Sequence, residues 1–388
     1  MKNILTVLTI YAMLSSGVSA QTKLTLDECY TKARENYPLI KQKEYIAKSK
    51  DYNVSNVWKG YFPQITISGQ ATYQSDVTSL PISIPGMIIE SLTKDQYKAV
   101  ADVTQVIYDG GVMSAQADIQ KATADADDQK IEIELLKVKD RINQIYFGIL
   151  LLNEQLVQTD LIKKDLNASF DKLNAALANG TATKPNVDIL KAELLKTVQR
   201  EIELRSSRKS FIDMLGLLIN QRLEESQKLE QPVIQNVSGI DEINRPELKL
   251  YTSQKNLIDN QSGLTLAKIL PKASLFFQGG YGKPTLNMLK NEFDWYYMAG
   301  ARLTWSISNL YSFSNENEIT GLNKKSVDAQ KETFLLNTNL SLKQQSSEIE
   351  KLNKLIKVDE EIISIRTSVK ESAKAQLENG VITSNDFI

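Results

Sequence analysis

The chain has no histidine, one cysteine and almost no net charge: 46 basic residues stand against 47 acidic ones, leaving -1 over 388 positions. Each shortage closes off a class of function. Without histidine, the commonest general base and the commonest zinc ligand are missing. A lone thiol, Cys29, makes neither an internal disulfide nor a thiolate metal cluster, and its place at a helix start marks it as a small buried hydrophobe. A chain without a basic surplus or a basic stripe has no sequence-independent grip on nucleic acid. No uncharged apolar run reaches the roughly 18 residues of a membrane-spanning helix. Proline and glycine are also thin where the chain is most regular: from Val112 to Ala178 there is no proline, and Gly148 is the only glycine.

The N-terminus carries a positive signal. "MKNILTVLTIYAMLSSGVSA" has Lys2, an apolar core from Ile4 to Met13 and small residues ending Val18-Ser19-Ala20. That is the layout of a cleavable secretory signal over residues 1–20, with Gln21 as the expected mature start. The mature chain is therefore expected to leave the cytoplasm and not to cross a membrane as a helix.

The rest is one plan written twice. A shift of 208 lays "YFPQITISGQATY" (61–73) on "ILPKASLFFQGGY" (269–281), so that Ile65, Ile67 and Tyr73 fall on Ala273, Leu275 and Tyr281. Beyond this stretch the shift becomes 200 and stays there: Tyr97, Ala99, Ala101, Val103 and Ile107 fall on Tyr297, Ala299, Ala301, Leu303 and Ile307, and Asn179-Gly180 falls on Asn379-Gly380. The lost residues sit between paired strands, where loop length costs little. Each copy reads as helix, strand, loop, strand, long helix, turn. The first copy (21–230) adds a returning helix from about Val187 to about Ile219. Residues 231–245 link it to the second copy (246–388).

In the long helices Ile131, Leu135, Val138, Ile142, Ile145, Ile149, Leu152 and Leu156 step by alternating fours and threes. That is the 3.5-residue seam of a coiled coil. Leu335, Leu342, Ile349, Ile356 and Ile363 repeat it every seven. At ~1.5 Å per residue the first rod would reach roughly 100 Å. Ala115, Ala117, Ala122, Ala124 and Ala126 suit close helix approach.

Four segments, about 64–75, 96–107, 272–283 and 295–307, alternate with period two. One face of the fourth carries Trp295, Tyr297, Ala299, Ala301, Leu303, Trp305 and Ile307. The polar faces carry Thr66, Ser68 and Gln70, then Lys98 and Asp102, then Arg302 and Thr304. A soluble sheet with one buried face has the same pattern. With export and long rods, a membrane β-barrel fits better: the apolar face meets lipid and the polar face meets a water-filled lumen. Trp58, Tyr61, Phe62, Tyr108 and Tyr311 are placed to form an aromatic girdle. Barrels begin at about eight strands, and an open edge is costly in lipid. Several copies must then each donate four strands. Loops 76–95 and 284–294, with Pro81, Pro85, Gly86 and Pro284, are expected outside the cell.

These residues resemble the TolC-like outer-membrane efflux protein family. "LTLDECYTKARENYPLI" (24–40) is similar to its opening pattern. "FPQITISG" is similar to its proline-led strand, "VTQVIYDGG" (103–111) to the close of its second strand, and "ANGTATKPNVDIL" (178–190) with "ENGVITSNDFI" (378–388) to its two periplasmic tips. The resemblance implies a mainly α fold with β: long coiled-coil helices forming a periplasmic tube, and four strands per protomer in a shared barrel. It implies a homotrimer, a periplasmic adaptor and an inner-membrane pump as partners, outer-membrane lipid around the barrel, and no cofactor. The location would be the outer membrane of a Gram-negative bacterium. The work would be passive conduction of drugs, small molecules or polypeptides in a tripartite efflux or type I secretion system. Residues at the tips, Asn179, Gly180, Thr181 and Thr183 with Asn379, Gly380, Val381 and Thr383, would touch the adaptor. One departure stands out: Gly110-Gly111 has Leu310-Tyr311 as its counterpart.

Rival classes find less support. There is no GxSxG, P-loop or metal-ligand spacing. "GGYG" (279–282) lies inside a strand. "DADDQKIEIE" (125–134) lacks the glycine turn of a calcium loop and reads as a solvated helix face. A periplasmic adaptor or a coiled-coil structural protein would share the hairpins but not two complete strand–rod units in tandem. The second copy stops at Ile388, where a returning helix is expected. The heptad face from Leu335 to Ile363 then lacks its partner, and the chain is expected to be incomplete at that end.

Overall fold

The computed structural model describes residues 23–78, 92–233, 243–288, 290–379 and 381–382. The expected signal, most of the first loop and of the linker, Gly380 and Thr383 lie outside these residues. The first described helix begins at a capping box. The Thr25 hydroxyl accepts from the Glu28 N–H at 3.2 Å, and the Thr25 N–H donates to the Glu28 carboxylate at 3.0 Å. That backbone bond holds the Glu28 carboxyl below its ordinary pKa. Helix α1 (Leu26–Asn36) follows, then α2 (Ile40–Trp58), β1 (Gln64–Tyr73), β2 (Asp95–Tyr108), α3 (Val112–Ala178) and α4 (Lys184–Leu218). The second copy supplies α5 (Pro246–Lys268), β3 (Lys272–Lys283), β4 (Asp294–Thr304) and α6 (Leu310–Glu378). The expected order is realised, with α3 at 67 residues and α6 at 69. The fourth strand stops at Thr304, short of the expected 307, because a 3-10 turn at Ile307–Asn309 takes over.

The chain divides into two units, each drawing on both copies. The first holds residues 1–40, 133–243 and 337–388. Its core packs Cys29 and Ala33 of α1 against Val138, Ile142, Ile145, Tyr146 and Ile149 of α3 and Ile212 and Leu215 of α4. Cys29 is fully buried, and burial pushes its thiol up to about 12. Leu24 forms a parallel bridge with Leu229, and the Tyr146 hydroxyl reaches the carbonyls of Leu24 at 2.8 Å and Glu230 at 2.6 Å. One buried phenol thus ties the start of the copy to its end. The seam of α3 is buried from Leu135 through Ile149, whereas Ile349, Leu352, Ile356 and Ile363 on α6 are exposed. The covering elements of the first seam, α1 and α4, have no counterpart on the second among the described residues.

The second unit holds residues 41–132 and 244–336, including all four strands. They form one antiparallel sheet in the order β1-β2-β3-β4. Ion pairs fasten the short helix of each copy to its long one. Lys43 on α2 reaches Asp128 at 3.0 Å and Glu132 at 2.5 Å on α3, and Lys255 on α5 reaches Asp328 at 2.9 Å on α6. Asp128 and Asp328 are the same position of the repeat. Asp259 on α5 also pairs with Lys324 on α6.

Candidate functional site

Residues directly opposite in an antiparallel pair share a face, so the register sorts the sheet. One row runs Ile65–Val103–Phe277–Ala299, and the next on that face runs Ile67–Ala101–Gly279–Tyr297. Between them lies Thr66–Asp102–Gln278–Met298, on the other face. Thr66, Ser68, Gln70, Lys98, Asp102, Arg302 and Thr304 all fall on this second face, as the alternation predicts. There Gln278 donates to the Asp102 carboxylate at 2.7 Å, and the Arg302 guanidinium lies 4.9 Å from the Phe276 ring centre. At the base of the sheet a bulge at Ile107 resets the phase, so that Tyr108 takes the place opposite Ala273.

The apolar face is bare. Ile67 is 81% exposed, and Trp295, Tyr297 and Leu303 are each about three-quarters exposed. Aromatic rings collect at both of its ends. Trp58 stacks on Tyr61 near the helices, while Tyr281 meets Phe293 at 5.6 Å and Trp295 at 5.0 Å at the loop end. The second cluster was not anticipated, since Phe293 sits in the connecting loop. The eight steps from Ala273 to Tyr281 span about 26 Å along the strand, or roughly 20 Å along a barrel axis at the usual tilt. That is the order of the ~25 Å apolar band of a membrane barrel.

Each strand pair passes to its rod through a pinned junction. In the first copy the Gln105 side-chain amide donates to the Tyr61 carbonyl at 2.5 Å; in the second the Trp305 indole N–H donates to the Ile269 carbonyl at 3.0 Å. Shifts of 200 and 208 relate the donors and the acceptors, so this is one contact made by two residue types. Asp109, 4% exposed, accepts from the Tyr61 hydroxyl and the Gly111 N–H at 2.9 Å and from the Met113 N–H at 2.6 Å. Gly110 and Gly111 have φ of 76° and 87°, and a side chain on Gly110 would come 2.7 Å from the Ala267 carbonyl. The second junction needs no glycine. It turns through the 3-10 segment, Leu310 has φ of -69°, and the Asn309 amide donates to the Lys268 carbonyl at 2.9 Å.

The far end of α3 closes in a Schellman motif. The Gly180 N–H donates to Leu177 O at 3.0 Å and the Thr181 N–H to Ala176 O at 2.9 Å, with Gly180 at φ 73°. Asn179, Gly180, Thr181 and Thr183 are exposed there, and Pro185 opens α4. On α6 the Val381 N–H donates to Gln376 O at 2.9 Å, repeating the outer bond, and Asn379 and Val381 are exposed.

Among the described residues no group of three or more His, Cys, Asp or Glu side chains is placed to hold a metal, and no helix is long and apolar enough to cross a membrane. A family model described as outer membrane efflux protein matches residues 29–216. Residues 29–216 belong to the outer membrane efflux protein family. Efflux across the outer membrane is accordingly the chain's function. The match lies in the first copy; solved structures extend the likeness over both. CusC aligns with a TM-score of 0.69 at 13% identity, covering 93% of this chain and 84% of that one. The outer membrane protein VceC from Vibrio cholerae gives 0.65 at 14%, covering 93% and 88%. The MtrE outer membrane channel of Neisseria gonorrhoeae, in its open state, gives 0.64 at 12%, covering 93% and 81%. At such identities the structures show the fold. No curated protein sequence matches the chain significantly.

Proposed function

We propose that the chain is the outer-membrane channel of a tripartite efflux or type I secretion system and works as a homotrimer. The observation that carries this reading is the sheet. It has four strands in continuous register, two free edges, one apolar face left bare and one polar face. A sheet of this kind is stable in lipid only once its edges are paired. Three copies of four strands make a barrel of twelve, within the range of membrane barrels. The face with Ile67, Tyr297 and Trp295 then meets lipid, and the face with Thr66, Lys98, Asp102 and Arg302 lines the lumen. The rods extend the conduit into the periplasm, and the tips at Asn179–Thr183 and Asn379–Thr383 meet an adaptor that joins an inner-membrane pump. Residues 21–230 and 246–388 are the two repeats, joined by the linker 231–245. Conduction is passive. The mixed charge of the lumen face favours no ion strongly, so drugs, small molecules and polypeptides are all in scope.

The test is assembly. Unheated protein in detergent should migrate as a trimer and heated protein as a monomer, with the native protein in the outer-membrane fraction. A monomer in the soluble periplasmic fraction would sink the reading and favour an adaptor.

A further inference from the structure

The polar face of the sheet carries two aromatic side chains that the alternation does not predict there, Phe276 and Tyr296, beside the expected Lys98. Each has a glycine opposite it on one neighbouring strand. The register pairs Lys98 with Gly282, Gly280 with Tyr296 and Phe276 with Gly300. The glycines are covered closely. A Cβ on Gly280 would sit 2.7 Å from the Tyr296 ring and one on Gly300 would sit 3.0 Å from the Phe276 ring, whereas one on Gly282 would first meet the Tyr97 carbonyl at 2.5 Å and then Lys98 Cγ at 3.1 Å. Each of the two rings therefore lies down over the bare backbone of its neighbour. Another large cation on this face, Arg302, is laid against Phe276.

We propose that Gly280 and Gly300 are recesses that hold the Tyr296 and Phe276 rings flat on the lumen wall, and so set the width of the bore and the largest solute that passes. The inference rests on the channel reading, which puts this face in the lumen. A methyl group at position 280 meets only the far end of a side chain that can swing, so the backbone need not move. The sheet behind the ring blocks retreat, and the lumen is where it has room to go. In a trimer each such change acts three times at one height of the barrel.

The test uses the full chain as a detergent-embedded oligomer carrying Ser68→Cys, on the same row as Gly280 and Tyr296. Native Cys29 is fully buried and stays silent. Labelling rates are compared for N-ethylmaleimide and for a maleimide on a polyethylene glycol chain. Adding Gly280→Ala should slow the polymer several-fold and leave the small reagent unchanged, and Tyr296→Ala in that background should restore the polymer rate. An unchanged polymer rate, or a loss that Tyr296→Ala does not reverse, overturns the proposal. Thr104→Cys with Gly300→Ala and Phe276→Ala repeats the test on another row and decides it if Gly280→Ala fails to assemble. Failure of the channel reading looks different: an impermeant reagent would label Ile67→Cys and spare Ser68→Cys, and the inference would fall with it.

Discussion

Removing the Asp109 carboxylate should loosen the turn from β2 into α3 and leave both elements standing. Asp109→Ala strips the acceptor from two backbone N–H groups, Gly111 and Met113, and from the Tyr61 hydroxyl. The hydroxyl can rotate to water, so the two amides decide the cost. Losing a helix cap costs about 0.5–2 kcal/mol, and a bond to a charged group is worth about 1.5–3 kcal/mol. Gly111 and Met113 are half-buried, so water replaces part of what is lost. A local cost of about 2–3 kcal/mol follows, or roughly 30- to 140-fold faster opening. Hydrogen exchange at those two amides reads it directly. The effect has a pH signature. Burial alone raises the carboxyl pKa, but the Met113 and Gly111 N–H groups and the Tyr61 hydroxyl outweigh it, so the folded value lies below the ordinary one. Such a group stabilises above its unfolded pKa of about 3.9, and the contribution is lost as pH falls through the lower folded value. Protection at Met113 should be level from neutral pH down to about 4 and then drop. In Asp109→Asn the drop should vanish. Protection factors at Gly111 and Met113 that stay within about twofold in Asp109→Ala would refute the account.

Tyr146→Phe should raise exchange at the Leu24 and Glu230 amides about 5- to 30-fold, since one shared hydroxyl bond is worth about 1–2 kcal/mol; an unchanged rate would mean that the phenol does not hold the two strands. Gly180→Ala should destabilise the α3–α4 turn by about 1–2 kcal/mol through its positive φ alone, with no clash because its Cβ would meet open space; a thermal midpoint equal to that of the unaltered protein would count against it. Glutamate at Thr183 and Thr383 together should abolish export while trimers remain in the membrane, and normal export would remove the docking role. A cysteine at Ser91 should react with an impermeant reagent on intact cells; reaction only after lysis would contradict the proposed topology.

The helices were legible because their ends are marked by residues with few alternatives. Gly110-Gly111 supplies the positive φ before α3, Asn179-Gly180 supplies it after, and nothing between breaks the ladder. Strand parity was legible for the same reason: a one-residue slip would exchange the two faces of the whole sheet. Adjacent residues of one type were harder. Phe276 and Phe277 are both aromatic, and parity sends Phe277 to the apolar face without saying what Phe276 does on the other. The answer is Gly300, on a different strand, and only the register brings the two together. The belt at the loop end was likewise hidden, because Phe293 joins Tyr281 only after the hairpin has closed.

The junctions show where comparison of the two copies misleads. Lined up residue by residue, Gln105 against Trp305 and Asp109 against Asn309 read as divergence, and Gly110-Gly111 against Leu310-Tyr311 reads as the loss of a bend. In three dimensions the requirement is a donor that reaches the carbonyl just ahead of the first strand of the pair. An amide and an indole N–H both meet it. Asp109 can only accept, so it caps its own helix and takes the hydroxyl of Tyr61. Asn309 can donate, so it reaches back to Lys268. With that tether the chain turns through a 3-10 segment at negative φ and has no need of glycine. The repeat thus preserves a bond and its endpoints while the side chains that make it vary.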